Sequence, residues 1–309
     1  MKSTITHILT TLGAALLLAA CATEPAQPDL GPVSYAPVVT SSSARTGEGG
    51  CTNLYPKEVP FAVWVRALDE QMLWAEYADE STSFIDNEQV EWNGSEWNTS
   101  AEHLWPADKA LSLMAYSPAS VEARFSVRGG IEFDNVDILA EGAEQLMFAN
   151  PVSDQLYTFN NGVINIPFTP ALAQLSFAVI PHVPDDVEVV VKKISVSNIQ
   201  HCGSFCSLPE ASWAPMGDTC EVVFFEGEES VMGSGYKQLG TTEWVLPQSV
   251  MARVKVVCDF HAHDTVIPNQ VFEADEKMMW RVGKNYAYTI KIYMDSIGFM
   301  HDVIFEEFD

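Results

Sequence analysis

Six cysteines and seven histidines are the side chains of this 309-residue chain best suited to metal or thiol chemistry. His201, Cys202, Cys206, Cys258, His261 and His263 carry the donor types that zinc takes. Strand periodicity separates them. With Val254, Val256, Cys258 and Phe260 on one face, Cys258 points inward, while His261 and His263 point outward or fall in the following loop, so no metal site is expected. Cys202, Cys206 and Cys220 lie close enough in sequence for one bridge among them. With Cys51 and Cys258 they make an odd set that leaves at least one free thiol, its connectivity open. No serine sits in a Gly-x-Ser-x-Gly elbow and no glycine-rich phosphate loop opens a helix. The acidic run Glu226-Gly-Glu-Glu-Ser230 reads as a solvated hairpin tip rather than a calcium loop. Catalysis has no positive support, and no cofactor is expected.

The remaining cysteine, Cys21, has a clearer role. Lys2 precedes a Thr/Ile/Leu/Ala stretch whose apolar run, 12–20, is shorter than the ~20 residues of a spanning helix and ends in Leu18-Ala19-Ala20-Cys21. Residues 1–20 read as an export signal. Small residues directly before Cys21 resemble the lipobox of bacterial lipoproteins, in which the cysteine is acylated and begins the mature chain. The resemblance implies lipidation at Cys21 and a place at the outer membrane or cell surface, anchored by lipid. The composition argues against a polyanionic partner. Sixteen basic against 42 acidic residues give a formal net charge of −26, which repels nucleic acid and anionic lipid headgroups.

Residues 21–50 form a leader rich in Pro, Ser, Thr, Ala and Gly. Within it Val33, Tyr35, Pro37 and Val39 alternate, so that one side of an extended segment is apolar. Six residues on stands Arg45, the only basic residue between Lys2 and Lys57. A strand-like stretch beside a lone arginine is a candidate protease site; a spacer residue is the alternative.

The elements that must position any site are strands. Residues 61–65, 111–116, 163–168, 175–180, 187–196, 254–260 and 286–294 are short apolar or alternating runs. Asn93-Gly94, Gly129-Gly130, Asn161-Gly162 and Pro184-Asp185-Asp186 supply turns between them. The pattern predicts an all-β protein built of β-sandwiches. The Pro-Asp cluster at 181–186 suggests a boundary between an N-terminal unit, 51–182, and a C-terminal unit, 183–309.

Certain residues in this order resemble a known family. Trp92, Asn93-Gly94 and Trp97 are followed by Leu104-Trp105-Pro106 and Leu111-Ser-Leu-Met-Ala-Tyr-Ser-Pro118. Asp137-Ile138-Leu139 and Phe168-Thr-Pro-Ala-Leu-Ala-Gln-Leu-Ser-Phe177 come next. The second half has Ile194-Ser-Val-Ser-Asn-Ile199, Gly203, Trp213, Leu246-Pro247-Gln248, Trp280 and Gly283-Lys284-Asn285-Tyr286-Ala-Tyr288. Together these resemble the fimbrillin-like family of lipoprotein pilins and fimbrial accessory subunits. The resemblance implies two tandem β-sandwich domains of transthyretin-like or Greek-key type. It also implies polymerisation: a trimming protease removes the N-terminal strand, and another subunit's C-terminal strand fills the groove by β-augmentation.

This chain supplies candidates for each part. Arg45 offers the cut and 33–39 the strand that leaves. Ile297, Phe299, Val303 and Phe305 fall on odd positions of the tail, interrupted by His301, and make 297–309 a candidate donor strand following a hinge at Asp295-Ser296. The same residues suit the last strand of their own unit. The expected partners are other pilin subunits, in homo- or heteropolymers, a trimming protease and the outer membrane through the lipid on Cys21. A second reading rests on the tryptophans: Trp64, Trp74, Trp92, Trp97 and Trp105 cluster in the first half, and an aromatic platform on a β-sandwich would bind glycans by stacking.

Overall fold

A computed structural model describes residues 30–40, 53–72, 74, 82–126, 128–140, 142–143, 146–233 and 235–302. Among these the named elements are strands apart from one 3-10 turn at Tyr157–Phe159. The N-terminal strands are β1 (Ser34–Val39), β2 (Asn53–Leu54), β3 (Phe61–Leu68), β4 (Ser83–Trp92), β5 (Trp97–Thr99), β6 (Ala110–Ser117), β7 (Ala123–Ser126), β8 (Gly130–Asp137), β9 (Met147–Gln155) and β10 (Val163–Pro170). Then come β11 (Ala173–Pro181), β12 (Val187–Cys206), β13 (Ser212–Met232), β14 (Lys237–Val245), β15 (Ser249–Ala262), β16 (Thr265–Met279), β17 (Asn285–Ile292) and β18 (Ile297–Asp302). The all-β expectation holds, and each of the seven apolar runs coincides with a strand.

The first sheet runs β10-β9-β6-β3-β4-β5-β1-β2, and β1 also pairs with β10, so the sheet curls round and closes on itself. Its interior holds Phe61, Val63 and Val65 of β3, Leu111, Leu113 and Ala115 of β6, and Ile164, Ile166 and Phe168 of β10. The other face of β3 and β6 is buried too. Ala62, Trp64, Met114 and Tyr116 pack with Ile131 and Phe133 of β8, Phe148 and Phe205. Burial on both faces is why these two strands read as continuous apolar runs rather than as alternation.

A four-stranded sheet, β14-β11-β17-β18, faces the strands β12, β13, β15 and β16 across a second core. Val187, Val189, Val191, Ile194 and Val196 of β12 meet Leu175, Phe177 and Val179 of β11 and Ile290 and Ile292 of β17 there. Long β12 ties the cores together. Its first half pairs with β15, its second half pairs with β8, and β13 runs along the opposite edge throughout.

The sheets do not follow a division at 182/183. β11, on the N-terminal side, pairs with β14 and in parallel with β17, while β8 pairs with β12 from the C-terminal side. The turn at Pro184-Asp185-Asp186 is real but links two strands of one core.

Phe205 of β12 sits at the join, with ring centroids 5.4 Å from Phe133, 5.0 Å from Phe148 and 5.3 Å from Trp213. Phe205→Ala is expected to cost about 3–5 kcal/mol, read as a fall in the denaturant midpoint in equilibrium unfolding.

Candidate assembly site: the seat of strand β1

Among the described residues, the segment 30–40 contains the strand that closes the first sheet. β1 lies parallel to β10, from Ser34 opposite Val163 to Val39 opposite Phe168. Its other edge is held less regularly. Tyr35 pairs with Trp97 of β5, Val38 and Val39 pair with Leu54 and Asn53 of β2, and Pro32 makes an isolated bridge to Leu104. The ends are tied by further hydrogen bonds. The Val33 amide donates to the His103 carbonyl at 2.8 Å, the Trp105 amide to the Gly31 carbonyl at 3.2 Å, and the Ser34 amide to the Gly162 carbonyl at 3.2 Å. At the far end both the amide and hydroxyl of Thr40 donate to the Phe168 carbonyl, at 2.8 and 2.9 Å.

Asn161-Gly162 earns its place in this seat. Both residues have positive φ, and a Cβ on Gly162 would come within 2.8 Å of Tyr157 and 3.0 Å of the Trp105 indole nitrogen. That nitrogen itself donates to the Gly162 carbonyl at 3.1 Å. Only glycine accepts both the conformation and the crowding.

The alternation in 33–39 directs Val33, Tyr35 and Pro37 inward, where each is buried. Val33 and Tyr35 enter the core of the closed sheet, with Leu30 and Val39 packed at its border. Burial of each such apolar side chain contributes about 1.5–3 kcal/mol. Below them Tyr55, Phe61, Trp97 and Phe168 form an aromatic floor: Tyr55 to Phe168 is 5.0 Å, Phe61 to Trp97 5.3 Å and Phe61 to Tyr35 6.2 Å between centroids. The Tyr55 hydroxyl is satisfied by Ser117 at 2.6 Å. The Tyr35 hydroxyl is buried with no hydrogen-bond partner among the described residues. Burial first, and then the Glu88 carboxylate, push its phenol above the ordinary tyrosine value. Glu88 in turn receives His103 Nε2 at 3.0 Å on each oxygen.

The family is decided by the chain as a whole. A family model described as fimbrillin-like matches residues 69–300. The chain belongs to the fimbrillin-like family. A fimbrial protein from Bacteroides vulgatus has a similar fold at 15% identity and a TM-score of 0.55, over 78% of this chain and 91% of that one. A candidate cell adhesion protein from Bacteroides uniformis is similar at 14% identity and a TM-score of 0.50, over 87% of this chain and 96% of that one. No curated protein sequence matches.

In this fimbrillin-like chain the tail begins as an edge strand. β18 pairs antiparallel with β17, Ile297 opposite Ile292 and Phe299 opposite Ile290, and both Ile297 and Phe299 pack on the second core. A turn at Asp295-Ser296, closed by the Tyr293 amide on the Ser296 carbonyl at 2.9 Å, precedes it. Cys21, Arg45, Cys51, Val303 and Phe305 lie outside the described residues.

Four of the five clustered tryptophans, Trp64, Trp74, Trp97 and Trp105, are buried. Trp92 is half-buried, with the Lys57 ammonium 3.9 Å above its ring. They build the floor and flanks of the sheet and do not form the exposed platform that stacking on a glycan requires. Cys258 is buried in β15, its thiol pushed up to about 12 by burial and then by Asp259. His261 faces Glu188 and Asp259, and His263 faces Asp186. Cys202, Cys206, Cys220 and Cys258 are all free thiols.

Sequence periodicity found β1 but not its neighbours. His103, Glu88, Gly162 and β10 became part of the seat only through folding. The Trp97 and Leu104-Trp105 motifs were visible signals whose shared purpose, contact with 31–35, was not.

Tyr35→Phe removes a buried hydroxyl without a partner, so stability is expected to stay within about 1 kcal/mol, whereas Tyr35→Ala is expected to cost about 3–5 kcal/mol in equilibrium unfolding. The folded state holds the Tyr35 proton more tightly than the unfolded chain. Its contribution is therefore complete below pH ~10 and is lost as pH rises above it. A smaller alkaline loss of stability in Tyr35→Phe than in the parent, measured by urea unfolding across that range, is the expected result.

Proposed function

We propose that the protein is a structural or adhesive subunit of a cell-surface fimbria and not an enzyme, exported as a lipoprotein through acylation of Cys21. Assembly proceeds by strand exchange: cleavage at Arg45 frees the leader, β1 leaves its seat, and a strand from another subunit enters. The observation that carries this reading is β1 itself. It completes the first sheet and buries Val33 and Tyr35, yet it is joined to the body only through residues that include Arg45. Its removal would expose the β10 edge together with an apolar slot, the two features an incoming strand satisfies.

The partners under this reading are other pilin subunits, a trimming protease and, before cleavage, the outer membrane through the lipid. The donor is the C-terminal tail, with Ile297, Phe299, Val303 and Phe305 as the side chains that would enter the slot. Ile297 and Phe299 already belong to the edge strand of a four-stranded sheet, so donation requires β18 to peel from β17 and these two side chains to leave the border of the second core.

The test is Arg45→Ala in cells that display the protein. Retention of the lipidated precursor with loss of high-molecular-weight surface polymer is expected. Wild-type polymer with an intact leader would contradict the mechanism. Deletion of 303–309 is expected to leave the monomer folded by circular dichroism while preventing its tail from seating in a second subunit, seen as lost cross-linking between tail and β10.

A further inference from the structure

Strand periodicity sets His201 and Cys202 apart from Cys258, His261 and His263, and the fold gives them another neighbour. β8 ends at Asp137, directly opposite Cys202 of β12. The Ile138 amide donates to the His201 carbonyl at 2.9 Å, and the Leu139 amide donates to Asp137 Oδ1 at 2.9 Å, fixing the carboxylate. Adjacent residues on a regular strand point to opposite faces. Here the pairing of β12 with β13 shifts register between Gln200 and Cys202, and the facing strand carries Gly217 at φ +78. That irregularity lets the His201 and Cys202 side chains converge. Cys202 Sγ stands 3.3 Å and Asp137 Oδ1 2.8 Å from the same atom, His201 Nδ1.

One ring nitrogen has one proton or one lone pair, so it cannot serve both neighbours at full strength. A cation between the three atoms would. We propose that Asp137, His201 and Cys202 bind one divalent cation of the zinc class. The three ligand atoms lie within 4.8 Å of one another. Zinc–ligand bonds of about 2.0–2.3 Å in tetrahedral geometry place N and O about 3.4 Å apart and N and S about 3.6 Å apart, which asks these two pairs to open by well under 1 Å. A mixed nitrogen, sulfur and oxygen set suits zinc over calcium or magnesium, which take oxygen alone. The fourth position is open to water. Binding would release the Cys202 thiol proton and would clamp the end of β8 to β12, at the join between the two cores.

Cobalt(II) titration of the reduced full-length chain tests this, with a non-thiol reductant. A thiolate-to-cobalt charge-transfer band saturating at one equivalent, displaced by zinc, is expected, together with a zinc-dependent rise in Tm. Cys202→Ser and the surface variant Asp137→Asn should each weaken binding at least about tenfold while keeping the strand circular dichroism of the parent, and Cys206→Ser should leave the band unchanged. Absence of the band, its survival in Cys202→Ser, or a Cys202–Cys220 disulfide in protein taken from the cell surface would overturn the proposal.

Discussion

Parallel pairing of β1 with β10 is the constraint on which the first half of the structure depends. Elsewhere in that sheet neighbours pair antiparallel, and β3–β4, β4–β5 and β9–β10 are consecutive in the chain. β1 enters from outside this pattern, and its contribution is double. It satisfies the amides and carbonyls of β10, and it inserts Val33 and Tyr35 into a core that would otherwise open to water. A closing strand of this kind is held by side-chain burial and hydrogen bonds, and the proposed exchange asks an incoming strand to supply the same pattern.

The seat can keep its shape because its walls are fixed from behind. β3 and β6 are buried on both faces, and their outer sides pack on β8 and on the end of β12. β12 then carries this contact into the second core, where parallel pairing of β11 with β17 interlocks the two halves of the sequence. Under the proposed exchange, a preformed groove would lose little conformational entropy when a strand enters, which leaves more of the burial free energy for affinity.

Much of this was legible in the residues. Period-two alternation and continuous apolar runs located the main strands, and Asn-Gly and Pro-Asp turns located many of their ends. The alternation at 33–39 marked β1 and the face it buries. What could not be read was pairing between distant segments. Pro184-Asp185-Asp186 looks like a boundary because local composition cannot reveal that β11 pairs with β17 across the chain. The five N-terminal tryptophans suggest an aromatic surface because composition does not tell a floor from a platform. Asp137 and His201, 64 positions apart, meet only through the β8–β12 register, and the irregularity beside Cys202 breaks the very alternation from which side-chain direction is inferred.

The central claim is that β1 is a separable part of an otherwise complete body. It is tested by introducing a specific protease site into 41–52, cutting the purified protein, and adding a labelled synthetic peptide of residues 30–40. The account predicts that the cut body keeps its strand circular dichroism, that the resident segment exchanges for the peptide, and that peptide binding restores the unfolding midpoint of the uncut chain. Collapse of the strand signal once the segment departs, or a resident segment that never exchanges under conditions where the body remains folded, would contradict it.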